Sequence, residues 1–245
     1  MALTSRTTMK YYLLLSFLSL SIFASTFVCE EESNNNFVAR YEIQTPQGKS
    51  AVNYYRLKDR SAFEYTQQGI TEVWTKTINN NASMIKGFDK DQRSIEYETI
   101  DLTMDKKNSS WNKRSNLMHP KDFNFKNNSV KTINGCVVKH YEKSENGKSI
   151  SMDWNEKRDI LVNFEIKDQK KVYYDYQLKS LKSLDLEDNH IVKVQGYERT
   201  DFADIGDNES DPFFRKMINL GFITHHETNI INDKGQLVEA ESHHH

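Results

Sequence analysis

Apolar and polar side chains alternate over most of this chain, and this period of two is the feature that most restricts its fold. In residues 37–44 the odd positions are Phe37, Ala39, Tyr41 and Ile43, and most of the even positions are polar. Successive side chains of a β-strand point to opposite faces, so the alternation is typical of strands with one buried face. The 28 aromatic residues among 245 indicate a folded chain rich in β-structure and not a disordered one.

The same alternation recurs in short segments that turn residues such as Asn134-Gly135 separate. It predicts strands over residues 37–44, 51–57, 62–67, 71–77, 83–88, 93–100, 129–133, 136–142, 149–154, 160–167, 172–178 and 190–197. Strands at this regular spacing predict a mainly β protein, built on a curved antiparallel sheet that resembles half of a barrel.

Two segments depart from the period, and they predict one or two short helices. Residues 102–128 show no sustained pattern, which predicts a short helix and a long loop crossing one face of the sheet. Residues 211–221 predict a helix, because Asp211 suits the N-cap, Pro212 the first helical position and Gly221 the position after the end.

The N-terminus carries the three parts of a secretory signal peptide. Arg6 and Lys10 precede an apolar run over residues 11–23, and Ala24-Ser25 supply the small residues of a cleavage site. A membrane-spanning helix needs about 20 apolar residues, so the run is too short to span, and we expect a periplasmic or secreted mature chain without a transmembrane segment. The predicted organisation is therefore a signal peptide (1–25), a polar tether (26–36), an antiparallel β domain (37–200), an acidic loop with a short helix and a strand packed on the sheet (201–235), and a loose tail (236–245).

Charge and motifs exclude several classes of function. The net charge is −2, and it becomes −4 without the signal peptide, with both signs interspersed, so we expect no nucleic-acid partner. The sequence contains no H-E-x-x-H, G-x-S-x-G or C-x-x-C motif and no glycine-rich phosphate loop. We therefore expect action by binding and not by catalysis, with a secreted hydrolase whose site residues are dispersed in sequence as an alternative.

The two cysteines, Cys29 and Cys136, fit an oxidising compartment. A disulfide between them would close a long loop and tie the N-terminus to the sheet. Cys29 could also stay free, or carry a lipid anchor to the outer membrane. A lipoprotein signal has a small residue directly before its cysteine, and Val28 at that place argues against the anchor.

An acidic segment precedes the predicted C-terminal helix and is a candidate partner surface or Ca²⁺ site. Oxygen ligands could come from five acids in eleven residues, namely Asp201, Asp204, Asp207, Glu209 and Asp211. The spacing of these acids is not that of an EF-hand loop. They also fit a structural loop whose acids interact favourably with the positive N-terminal end of the helix dipole. We expect no cofactor, with Ca²⁺ kept as the alternative.

Residues 135–141, 150–154 and 160–166, with Trp154-Asn155-Glu156 at a turn, resemble the periplasmic lipoprotein-carrier superfamily. That resemblance implies a half-barrel sheet that shelters acyl chains under a helical lid. The segment over residues 201–214 is also similar to one in uncharacterised secreted proteins of Gram-negative bacteria, which implies no activity.

These patterns lead to one main hypothesis: an exported envelope protein that binds a lipid, another hydrophobic ligand or a lipoprotein on its curved sheet. The candidate ligand-binding residues are aromatic side chains in the predicted strands: Tyr41, Tyr55, Tyr65, Trp74, Trp154, Phe164 and Tyr174. The alternative is a structural or interaction subunit of a bacterial envelope assembly that contacts an envelope protein through residues 201–221.

Overall fold

The computed structural model describes residues 36–104, 109–126, 128–184, 190–208 and 210–223. Twelve strands are found in these ranges: β1 Phe37–Thr45, β2 Gly48–Leu57, β3 Arg60–Tyr65, β4 Ile70–Lys76, β5 Ala82–Phe88, β6 Arg93–Tyr97, β7 Asn128–Ile133, β8 Cys136–Glu145, β9 Lys148–Asn155, β10 Ile160–Lys167, β11 Val172–Ser183 and β12 Glu198–Asp201. The same ranges contain four short α-helices: α1 Thr99–Met104, α2 Trp111–Arg114, α3 His190–Gln195 and α4 Pro212–Asn219.

All twelve strands belong to one open, curved sheet in the order β12-β6-β5-β4-β3-β2-β1-β11-β10-β9-β8-β7. Two antiparallel meanders, β1 to β6 and β7 to β11, lie side by side because β1 pairs with β11 as well as with β2. Among the strands of the described ranges, only β12 pairs in parallel, with β6. The predicted mainly β fold with a curved, half-barrel-like antiparallel sheet is confirmed.

The two faces of the sheet bury different sets of side chains. One face, here called the inner face, carries Tyr41, Tyr54, Trp74 and Phe164 within a large apolar cluster that extends across both meanders. The opposite, outer face carries a smaller cluster that contains Tyr55 and lies under α3. Tyr54 and Tyr55 are neighbours on β2, so the period of two sends one ring to each side.

Two covering segments close much of the inner face. The first, over residues 99–104 and 109–126, contains α1 and α2 and buries Leu102, Trp111 and Phe123 in the large cluster. The second, over residues 202–208 and 210–223, contributes Phe214 and Met217 from α4. The prediction that residues 102–128 combine a short helix with a loop across one face is therefore confirmed.

The helix predicted over residues 211–221 is also present. A carboxylate oxygen of Asp211 accepts a hydrogen bond from the backbone N–H of Phe213, which makes Asp211 the N-cap. Pro212 opens α4, and Gly221 follows its end with a φ of 72°, a left-handed conformation that glycine adopts without strain.

The strand predicted over residues 190–197 is wrong, because residues 190–195 form α3. Ile191 and Val194, three residues apart, are fully buried on the outer face, whereas Val192 is exposed. The alternation of Val192, Lys193 and Val194 resembles a strand, but the packing of Ile191 and Val194 on the sheet decides for a helix. With α1 and α2, this helix raises the number of α-helices to four, above the one or two predicted.

Several expectations lie outside the described residues. They concern the signal peptide (1–25), the polar tether up to residue 35, Cys29, Glu209, and the strand and tail expected after residue 223. Within the described ranges, none of the helices has the length and hydrophobicity that crossing a bilayer requires.

Candidate functional site

The inner face carries an apolar row that crosses β1 and four strands of the second meander in register. Tyr176 on β11 pairs with Ile43 on β1 and with Phe164 on β10. Phe164 pairs with Met152 on β9, which pairs with Tyr141 on β8. Directly paired residues of antiparallel strands share one face, so the row is a continuous apolar surface.

The structure places six of the seven predicted ligand-binding residues on this face. Tyr41, Trp74, Trp154 and Phe164 are fully buried in the large cluster, and Tyr65 and Tyr174 pack against it while remaining partly exposed. Tyr55 lies on the outer face, so it is separated from the other six by the thickness of the sheet. The buried four hold the sheet and its covers together, and they are not open to a ligand in this conformation.

The first covering segment is fixed to one end of the inner face by Arg56 on β2, which bonds residues 115 and 116. The guanidinium of Arg56 donates to the hydroxyl of Tyr54 at 2.6 Å, to the carbonyl of Ser115 at 3.1 Å and to the side-chain oxygen of Asn116. It also forms a 3.2 Å ion pair with Asp159 in the turn between β9 and β10. The side chain of Arg56 is only 14% exposed, so these bonds satisfy a charge that is largely removed from water. We call this group the polar anchor.

Burial changes the proton affinity of groups near the polar anchor. Burial raises the pKa of Tyr54 far above its usual value, although the nearby Arg56 opposes the rise, so its hydroxyl stays a hydrogen-bond donor to Ser115. Burial also lowers the pKa of His119, whose ring lies 4.8 Å from that of Trp154. The covering segment therefore meets the sheet here through neutral aromatic rings and one shielded cation.

The opposite end of the inner face carries partly exposed aromatic side chains, which we call the aromatic rim. The rim consists of Tyr65, Phe125, Tyr141, Tyr174 and Tyr176. It lies where β3, β8 and β10 end and where β9 and β11 begin. Phe125, the last ring of the covering segment, lies 5.3 Å from the ring of Tyr141, and burial raises the pKa of Tyr176 to about 12. The rim is thus built from uncharged aromatic rings, with the amino group of Lys143 at 6.0 Å from the centroid of Phe125, and its side chains are only partly covered.

Arg93 on β6 holds the second covering segment in place. Its guanidinium bonds the carboxylate of Asp211 at 2.6 Å and lies over the rings of Phe213 and Phe214, at 4.5 and 4.9 Å from their centroids. The hydrogen bond from Arg93, together with that from the N–H of Phe213, lowers the pKa of Asp211. Asp211 is therefore committed to capping α4 and joining it to the sheet.

The other described acids of the same segment, Asp201, Asp204 and Asp207, are exposed. Asp211 is the fourth described acid, and no three of these four bring their oxygens together as a metal-binding group. Glu209 lies outside the described residues, so the Ca²⁺ site and the partner surface stay predictions.

Cys136 begins β8 and is fully buried in the large cluster. Because Cys29 lies outside the described residues, the predicted pairing of the two cysteines stays a prediction.

Sequence reasoning missed the two arginines that fix the covering segments. Arg56 and Arg93 lie 59 or more residues from Ser115, Asn116, Asp159 and Asp211, the groups they hold. No local sequence pattern indicates contacts between residues that are so far apart in the chain. The one available signal is that each arginine occupies a position in a strand where the alternation expects an inward-facing side chain.

Comparison with known proteins gives only distant likenesses of fold. No family model matches the chain, and no curated protein sequence matches it. Among solved structures it is similar to PNGF-II at 11% identity and a TM-score of 0.42, over 70% of this chain and 32% of that one. It is similar to MucB in complex with MucA(peri) at 7% identity and a TM-score of 0.33, over 64% of this chain and 55% of that one.

A third similar structure is a putative outer membrane lipoprotein-sorting protein domain from Vibrio parahaemolyticus. The identity is 11% and the TM-score 0.33, over 67% of this chain and 93% of that domain. The chain thus spans about a third of the length of PNGF-II and about half of MucB. The structure is thus weakly similar in fold to a lipoprotein-sorting domain. At these scores the similarity says nothing about function.

Proposed function

We propose that this chain is an exported, non-enzymatic envelope protein that binds an apolar ligand, an acyl chain or the lipid of a lipoprotein, at the aromatic rim. The observation that carries the proposal is the continuity of the inner face. The rim is joined through Tyr176 and Phe164 to a row of apolar side chains that crosses five strands. An acyl chain that entered at the rim would meet apolar surface along its length.

Three features support entry at the rim. The rim is partly exposed, whereas Tyr41, Trp74, Trp154 and Phe164 are fully buried. The polar anchor fixes the covering segment at the other end, so the rim end is where the cover can move with the least loss of hydrogen bonds. The phenol of Tyr176 stays neutral at physiological pH, which suits an apolar ligand.

Titration with a fluorescent fatty acid tests the proposal on the purified mature chain. We expect saturable binding that Tyr174→Ala and Tyr65→Ala each weaken by roughly five- to thirty-fold, the usual cost of removing an aromatic anchor of about 1–2 kcal/mol. Val192→Ala is the matched control, because Val192 is exposed on α3, the helix that packs on the outer face. Absence of saturable binding, or equal affinity in the two rim variants and the control, would contradict the proposal.

Native mass spectrometry after gentle extraction from the host envelope supplies an independent readout. A ligand that is carried in the cell should appear as a mass adduct that organic extraction removes. A chain that is recovered free of adduct in every preparation would count against carriage of lipid.

A further inference from the structure

A compact group of metal-ligand side chains lies on the outer face, away from the aromatic rim. Glu64 on β3, Asp89 directly after β5 and His190 at the start of α3 bring one ligand atom each to within 4.8 Å of the others. Nε2 of His190 lies 3.4 Å from Oδ1 of Asp89 and 4.0 Å from Oε1 of Glu64. It is the one group of three such atoms in the described part of the chain.

The three side chains are largely removed from solvent. The exposed fractions are 14% for His190, 16% for Glu64 and 19% for Asp89. Two carboxylates in such a place need a compensating cation, because charge in a region of low dielectric is costly to leave unpaired. The nearest lysine amino group, that of Lys193, is 3.8 Å from Asp89 but is itself 55% exposed.

Surrounding hydrogen bonds orient both carboxylates. The hydroxyl of Tyr55 and the side-chain amide of Asn53 donate to Oε2 of Glu64 at 2.5 and 2.9 Å, which leaves Oε1 on the side of His190. The hydroxyl of Tyr197 donates to Oδ1 of Asp89 at 2.6 Å. Partners that hold the ligands from outside are a general property of metal sites in proteins.

We propose that Glu64, Asp89 and His190 form a binding site for a first-row divalent cation, of which Zn²⁺ is the probe. One imidazole nitrogen and two carboxylate oxygens are a ligand set that Zn²⁺ accepts. A tetrahedral ion with bonds of about 2.0–2.2 Å separates its ligand atoms by roughly 3.4 Å, the spacing of His190 and Asp89. Rotation of the Glu64 carboxylate can close the longer gap.

Three protein ligands leave one tetrahedral position for water or another small ligand. Nε2 of His190 now shares a 2.7 Å hydrogen bond with the hydroxyl of the buried Thr71. Cation binding exchanges that bond for a bond to the ion and leaves the Thr71 hydroxyl beside the open position. The site shares no residue with the aromatic rim, so cation binding and lipid binding can be tested independently of each other.

Calorimetric titration with Zn²⁺ tests the site in the full mature chain after metal removal. All variants carry serine in place of His243, His244 and His245, because a terminal histidine run binds divalent cations itself. We expect one Zn²⁺ per chain, with affinity at least tenfold lower in His190→Asn and in Glu64→Gln. His140→Asn is the matched control, since Nδ1 of His140 bonds Asp153 at 2.7 Å in a pair that has one carboxylate and not two.

Two outcomes of the titration would overturn the proposal: no saturable Zn²⁺ binding, or equal affinity in His190→Asn and His140→Asn. The second of these would mean that His190 is not a ligand of the ion. If the site variants fail to fold, Co²⁺ added to the otherwise unaltered chain decides. One equivalent with the strong visible absorption of four-coordinate Co²⁺ supports the site, and only the weak six-coordinate spectrum overturns it.

Discussion

Individual side chains fix the covers of this protein, and the polar anchor is the clearest case. Arg56 joins three parts of the chain that are far apart in sequence: β2, the covering segment at Ser115 and Asn116, and the turn at Asp159. A guanidinium can hold all three because its donors form a planar fork. The cover of the inner face therefore depends on one residue that lies outside it.

Replacing Arg56 should destabilise the protein substantially. We expect Arg56→Ala to lower the free energy of unfolding by about 3 kcal/mol, because it removes the charged donor that the hydroxyl of Tyr54 and the side chain of Asn116 share. Asp159→Asn should cost less than about 1 kcal/mol, because the Asp159 side chain is half exposed. Urea denaturation measures both values. Arg40→Ala, at an exposed position on β1, is the control, and an equal loss there would refute the role of the anchor.

Secondary-structure elements dock on both faces of the sheet, and α3 approaches the backbone of β5 closely at Gly87. A Cβ atom built on Gly87 of β5 would lie 2.5 Å from Cγ1 of Val194. The absence of a side chain at Gly87 is thus what lets α3 approach the outer face.

Gly87→Ala should push α3 away and lower stability by about 1–3 kcal/mol, the usual cost of overpacking. Adding Val194→Ala should recover part of this loss, and a double-mutant cycle from urea denaturation measures the coupling. Gly206→Ala is the matched control, because a Cβ there meets nothing within 4 Å. Additive effects of Gly87→Ala and Val194→Ala would show that the two residues are not in contact.

Docking of α4 should depend on pH through Asp211. The hydrogen bonds from Arg93 and from the N–H of Phe213 lower its pKa in the folded state. A depressed pKa contributes stability above the unfolded value of roughly 4, and this contribution is lost as the pH falls through the folded value. Asp211→Asn, which can still cap the helix, should therefore lower the unfolding temperature at pH 7. The deficit should shrink as the pH falls below roughly 4.

Thermal unfolding at pH 7 and at pH 2–3 checks this behaviour. Asp207→Asn is the control, because Asp207 is exposed in the same segment. A deficit of Asp211→Asn that stays the same at both pH values would show that its carboxylate charge is not involved.

The sequence predicted what repeats locally and missed what depends on distant contacts. Strand positions, the cover over residues 102–128 and the α4 cap follow from a period of two, its interruption and the triad Asp211, Pro212 and Gly221. The sequence predicts a strand in place of α3, because Val192 and Val194 alternate with polar residues. The helix is favoured by the close packing of Val194 on Gly87, a contact between residues that are distant in sequence. The position of Tyr55 on the outer face could not be predicted, because β2 offers one tyrosine to each face and the sequence does not say which of Tyr54 and Tyr55 faces inward.

At the scale of the whole molecule, an open sheet of twelve strands presents one long apolar face with unequal ends. The end at Arg56 is closed by hydrogen bonds, and the end at the aromatic rim is closed by ring contacts such as that of Phe125 with Tyr141. Contacts between rings lose less than buried ionic hydrogen bonds when they separate. The rim is therefore the end at which the face can open to a ligand.

Paramagnetic broadening by a nitroxide-labelled fatty acid tests this central claim most directly. In a chain with ¹³C-labelled methionine and valine methyl groups, the account predicts the strongest broadening at Met152, in the inner row beside Tyr141. The methyl groups of Val192, exposed on α3 over the outer face, should broaden least. Broadening that is equal on the two faces, or strongest at Val192, would contradict binding at the rim.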